Sequence, residues 1–263
     1  MLPLISLTLL GDAVLIMKFS GNLADDIIAV FSAVVLSLFS ALILKRFYKY
    51  TAVKFVFIVL IILSALFTVL NFSLFASEAM LKGEDMVFPF VIFSALVFYL
   101  GLTDKKVICK TALVSGALTA LLIIAITVLS IRFMSAKYLL PHSLPELSAS
   151  KTFTSVYFSL TAAFVPILTV IKKMRELISP AIAFAFLFTL GLITPLGHFG
   201  SEYAATLSYP YAVAVSSAAQ GDVFSRLDGL FFFSCFFTCL TKAAVCIYAL
   251  RQIYIQLISK IKS

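Results

Sequence analysis

The chain has 263 residues, 62% of them hydrophobic and 12% charged, with a net charge of +8 and a mean hydropathy of +1.13. A soluble domain carries about twice that charge fraction, and no polar stretch is long enough to form one, so residues 1–263 are read as a single transmembrane domain in the lipid bilayer. The basic residues fall in short clusters between apolar runs, which excludes the basic, aromatic-bearing face that nucleic acid requires.

A helix needs about 20 apolar residues to cross the hydrocarbon. Eight stretches are read as spans: Leu2–Met17, Asp26–Leu44, Phe55–Ala76, the short Val87–Leu102, Thr111–Ile131, Phe153–Ile171, Ile178–Leu196 and Asp228–Leu250. The first lacks a basic leader and a small-residue cleavage site, so it is read as a retained span rather than a signal peptide. The stretch 198–227 is read as a partly inserted outer hairpin. A ninth span there would have to run through Gln220, Gly221 and Asp222.

Charge sets the orientation. The joints holding Lys45, Arg46, Lys49 and Lys54, then Lys105, Lys106 and Lys110, then Lys172, Lys173 and Arg175, with the tail residues Arg251, Lys260 and Lys262, carry thirteen basic residues. The opposite side carries six, with most of the acids, including Asp25 and Asp26. The positive-inside rule therefore places both termini in the cytoplasm of a multi-pass cell-membrane protein. With no Trp in the chain, Tyr48, Tyr50, Tyr138, Tyr203, Tyr209 and Tyr211 are the expected interfacial anchors.

Two ionisable residues remain inside spans, Asp12 and Lys242. Charges in hydrocarbon face protein or water and usually carry function. Asp12 follows Gly11, which suits a helix break at the midplane, and transporters bind solutes and ions at such breaks. Ser234, Thr238, Thr241 and Lys242 recur at helical spacing and form a stripe expected to face the bundle interior. Two readings stand for the charges: a mutual pair or coupling site, or an interfacial Asp12 with Lys242 snorkelling to the cytoplasm.

Arg226-Leu227-Asp228 opens the last span, either as a helix-start cap and anchor or as an outer gate. Pro166 and Pro195 each remove a backbone donor, and Ser159 and Thr161 precede the first of them. Cys109, Cys235, Cys239 and Cys246 include no CxxC pair and read as packed apolar residues. No nucleophile–base set, metal-ligand spacing or phosphate-cradling glycine loop occurs, so an enzyme, a cofactor and a metal site are not expected.

Four places carry a resemblance. They are Leu10-Gly11-Asp12-Ala13-Val14-Leu15, Leu100-Gly101-Leu102-Thr103-Asp104-Lys105-Lys106-Val107-Ile108, Leu139-Leu140-Pro141, and Ser208-Tyr209-Pro210 leading to Phe224-Ser225-Arg226-Leu227-Asp228. In these the chain resembles the B subunit of bacterial spore nutrient-germinant receptors, a branch of the amino acid–polyamine–organocation transporter superfamily. The resemblance implies an inverted-repeat bundle of two five-helix halves, with broken helices one and six flanking the site; this chain has about eight helices and lacks the last two. It also implies a role in sensing a small nutrient, typically an amino acid, in the inner membrane of the spore, with an A-like subunit and a lipoprotein C-like subunit as partners.

The candidate ligand residues are Gly11, Asp12, Ala13, Ser159, Thr161 and Thr238, although Asp12 is unusual for the family at the first break; the residues themselves suggest Asp12 and Lys242 as a charge pair and Arg226 with Asp228 as an outer gate. Helix six departs from the family pattern: Thr161-Ala162-Ala163-Phe164 stands where a glycine-glutamate is usual. The rival expectations are a proton- or cation-coupled amino acid permease and a ligand-free structural membrane subunit.

Overall fold

The computed structural model describes residues 23–80, 85–139, 151–169, 171, 175–218 and 227–261. Span one, with Gly11, Asp12 and Ala13, lies outside the described residues, as does Arg226. The described residues form ten α-helices in order: α1 Leu23–Phe47, α2 Thr51–Phe75, α3 Val87–Gly101, α4 Lys105–Ser130, α5 Ala136–Leu139, α6 Lys151–Leu168, α7 Arg175–Phe199, α8 Ser201–Thr206, α9 Pro210–Ala218 and α10 Leu227–Ile261.

Five of these helices are long and apolar enough to cross a bilayer: α1, α2, α4, α7 and α10; α3 and α6 are shorter apolar helices. Their outward faces expose large apolar side chains, among them Val35, Phe39, Val59, Val114 and Leu121. A soluble protein does not present apolar surface on that scale, and lipid is the solvent that accepts it. The described residues form an all-helical structure of the kind that is embedded in a membrane.

Several helices outrun the expected spans. α10 continues past Leu250 to Ile261, and α4 starts at Lys105 rather than Thr111. Apolar length marks where lipid ends, whereas a formed helix propagates through Lys, Arg and Gln at little cost. The added turns are used: Tyr48 Oη and Lys54 Nζ both donate to Gln256 Oε1 of α10, each at 3.1 Å.

Packing follows the small residues. α10 lies at the centre against α2, α3, α4, α6 and α9, while α1 packs on α6 and α7. The buried line of α1 is Asp26, Ala29, Val30, Ala33, Val34, Ser37 and Ala41, and that of α10 includes Cys235, Cys239, Ala243, Cys246 and Ala249. Without a hydrophobic drive between helices in lipid, such small residues let backbones approach and gain dispersion contacts. This is the role the sequence assigned to the cysteines. At Gly101, in the Leu100-Gly101 motif, an added Cβ would stand 2.6 Å from Cβ of Ile247, so α3 crosses α10 only because that atom is missing. Gly200, at φ 74°, ends α7 and turns the chain into α8.

The predicted break in helix six does not form, and this corrects the sequence reading. α6 is continuous from Lys151 to Leu168 through Ser159 and Thr161, and Pro166 sits in its last turn. Proline leaves the carbonyl four residues earlier without its helical donor. That carbonyl, of Ala162, accepts the Ser64 hydroxyl of α2 at 2.9 Å, so the helix keeps its path. The end of α6 is closed from α1, where Lys45 Nζ donates to the carbonyls of Leu168 and Ile171, both at 2.8 Å. A cation there also opposes the negative end of the helix dipole.

Candidate functional site

The Ser234–Lys242 stripe faces inward, as its spacing implied. Ser234, Thr238 and Thr241 are fully buried and Lys242 is 2% exposed, so the ammonium group is not out in solvent. The Ser234 hydroxyl meets Thr119 of α4 at 2.6 Å, and Thr238 is satisfied by carbonyls of its own helix, Ser234 and Cys235.

Depth can be read from the antiparallel packing of α2 on α10. Cys246 Sγ approaches Ser64 Oγ at 3.7 Å, and Ser64 in turn reaches the Ala162 carbonyl. One turn from that layer, towards the C-terminal end of α2 and the N-terminal ends of α6 and α10, the three helices carry Thr68, Ser159 and Lys242, all buried. Beyond it in the same direction, Phe72, Phe93 and Phe236 form an aromatic layer, with Phe72 stacked on Phe93 at 4.5 Å and both rings edge-on to Phe236. A polar layer is thus roofed by rings on its α2, α3 and α10 sides.

Of the residues expected to bind ligand, Ser159 and Thr161 have hydroxyls with no hydrogen-bond partner among the described residues. Ser159 is fully buried whereas Thr161 is half-buried on another face of α6, so the structure does not bring the two together. Thr238 lies in the stripe with Lys242. Asp228, the described half of the expected gate, accepts the Gly229 amide at 2.7 Å in the first turn of α10, which is helix-terminus chemistry.

Asp26 was read with Asp25 as an outer-side charge. It is fully buried, and its Oδ1 accepts the Thr152 hydroxyl of α6 at 2.5 Å. It is therefore a second acidic candidate besides Asp12. The signal was present in the sequence: Asp26 heads the i, i+4, i+7, i+8 line of small residues that forms the buried face of α1.

Among the described residues of the stretch 198–227, no helix is long enough to cross the membrane. α8 and α9 are short, and α9 docks on α7 and α10. Tyr209 packs edge-on against Phe75, and burial, then the nearby Glu78 carboxylate, pushes its hydroxyl up to about 12. Tyr211, expected at headgroup depth, is instead 1% exposed and packs against Phe231. Its hydroxyl has no hydrogen-bond partner of good geometry among the described residues, and burial holds it protonated, with Cys235 reinforcing and Thr127 opposing that effect. The apolar run Ala212–Val215 accounts for the docking: Ala212, Ala214 and Val215 are buried, and Val213 is exposed. In a cysteine-free background, cysteines placed at the exposed Ser208 and Ser216 should both react with an impermeant thiol reagent added from one side. Labelling from opposite sides would make 198–227 a span.

Among the described residues no group of His, Cys, Asp and Glu is arranged to hold a metal ion. No protein-family model matches the chain. No curated protein matches it either.

Proposed function

We propose that the chain is the transporter-like membrane subunit of a spore nutrient-germinant receptor and that it binds a small zwitterionic nutrient, an amino acid, without chemically altering it. The observation that carries this reading is the burial of Thr68, Ser159 and Lys242 on three helices, α2, α6 and α10, that pack against one another. A fixed cation and a spare hydroxyl suit a carboxylate ligand, and burial strengthens both interactions. Ser159 has no partner among the described residues, so a ligand atom there would satisfy it rather than displace a bond.

The inverted-repeat architecture is part of the same proposal. A two-fold axis relating five-span halves sets helices two and seven together, and likewise three and eight. With span one counted first, these are α1 with α7 and α2 with α10, both of which are packed pairs. Cytoplasmic termini, the A-like and C-like partner subunits and the outer gate of Arg226 and Asp228 belong to this proposal too.

Equilibrium binding of labelled amino acids to the protein in proteoliposomes tests it. Saturable binding without time-dependent accumulation is expected, lost in Lys242→Met and weakened in Ser159→Val. Concentrative uptake would favour the permease reading. Absence of any binding across the amino acids would leave a ligand-free structural subunit.

A further inference from the structure

α4 and α10 leave a groove of about 370 Å³ on the outside of the bundle. Its floor on α4 is Lys110, Val114 and Leu118, three positions four apart and hence on one face. Lys106 continues that line one turn towards the joint, and Lys105 begins the helix beside it. The opposite wall is Phe233 and Phe237 of α10, whose rings meet edge-on at 4.6 Å. Lys106, Lys110, Val114 and Phe233 are exposed, and none of these groups has a role in the polar layer inside.

The groove is polarised along its length. Two lysines stand at the end nearest the basic joint; apolar side chains follow for about 12 Å towards the membrane centre, at 1.5 Å per residue from Lys110 to Leu118. Long lysine side chains in this position extend their ammonium groups to the headgroup level while their stems lie on apolar surface. A membrane-embedded groove with cations at its interfacial end and aromatic walls at its buried end matches one molecule in both charge and polarity. We propose that this groove is a binding site for an anionic phospholipid of the leaflet on the basic side. Its phosphate is held by Lys106 and Lys110, with Thr111 beside them, and one acyl chain lies along Val114, Leu118, Phe233 and Phe237. A partner helix would be the other natural occupant of an exposed seam, but it would leave the two lysines facing apolar side chains, at a cost that the lipid phosphate removes.

The test uses the whole protein in phosphatidylcholine vesicles doped, at equal mole fraction, with either phosphatidylglycerol or phosphatidylcholine bearing a photoreactive diazirine in the acyl chain. Crosslinked peptides are mapped by mass spectrometry. Phosphatidylglycerol should label the segments containing Val114–Leu118 and Phe233–Phe237 in preference to phosphatidylcholine, by about five-fold for each lysine engaged. The double variant Lys106→Gln/Lys110→Gln should lose that preference while labelling at the lipid-facing Val35 and Val59 stays as in the native protein, which shows that the bundle is intact. Equal labelling by the two lipids would make the groove ordinary annular surface and overturn the proposal. A preference that survives in the double variant would overturn it too. So would absence of groove labelling when Val35 and Val59 are labelled, because a partner helix would then fill the seam.

Discussion

The double variant Asp12→Asn/Lys242→Met is expected to stay closer to the native protein in stability and ligand response than either single variant. Lys242 is 2% exposed, between Cys239 and Cys246 on the central helix. A charge at that depth, if uncompensated, costs at least about 2.5–3.5 kcal/mol on insertion scales. Asp12 is the remaining ionisable residue inside an apolar span of the sequence once the joints and Asp26 are set aside. If the two form a pair, removing one strands the other, at about 3–5 kcal/mol, whereas removing both strands nothing. The pair need not stabilise the fold, since desolvation can cancel the attraction. Its use would be to release span one from α10 when Asp12 takes up a proton or when a ligand carboxylate competes for Lys242. Unfolding of the four proteins in mixed micelles, with ligand binding measured in parallel, gives the coupling. Strictly additive losses would separate the two charges.

The sequence yielded the membrane class and seven of the helices because both follow from local composition. Lipid demands runs of apolar residues, and each run from Asp26–Leu44 onward lies within or close to a helix of the structure. The ends were less legible, since polar residues stop a span but not a helix, as Arg251 and Gln256 show on α10. The inward stripe of α10 was legible because 3.6-residue spacing predicts which residues share a face. Asp26 was misread because its neighbour Asp25 and its place at a helix start fit a topology marker equally well. The Thr152 hydroxyl that helps make burial tolerable comes from α6, more than a hundred residues away. The burial of Tyr211 is likewise decided by Phe231 and by α4 and α10, not by its own segment.

The expected break in α6 failed for the same kind of reason, and its repair can be tested. Pro166 alone predicts a carbonyl at Ala162 without a helical donor. Whether that carbonyl opens the helix depends on Ser64, 98 residues distant, which supplies the missing donor at 2.9 Å. Ser64→Ala should therefore leave a part-buried acceptor without its protein donor and lower stability by about 1–3 kcal/mol. Pro166→Ala should restore a backbone amide that reaches Ala162 from within α6, so the serine becomes dispensable. In Pro166→Ala the further change Ser64→Ala should then cost only what a small cavity and the lost Cys246 contact cost, about 1 kcal/mol or less. The four proteins unfolded in parallel give the interaction energy directly. A serine replacement that costs the same with and without Pro166 would mean that α2 does not complete α6, and that the continuity of α6 past Ser159 has another origin. The outcome also bears on ligand binding. If α2 locks α6 straight, Ser64→Ala should loosen the layer that holds Ser159 and weaken nutrient binding, and Pro166→Ala should restore it.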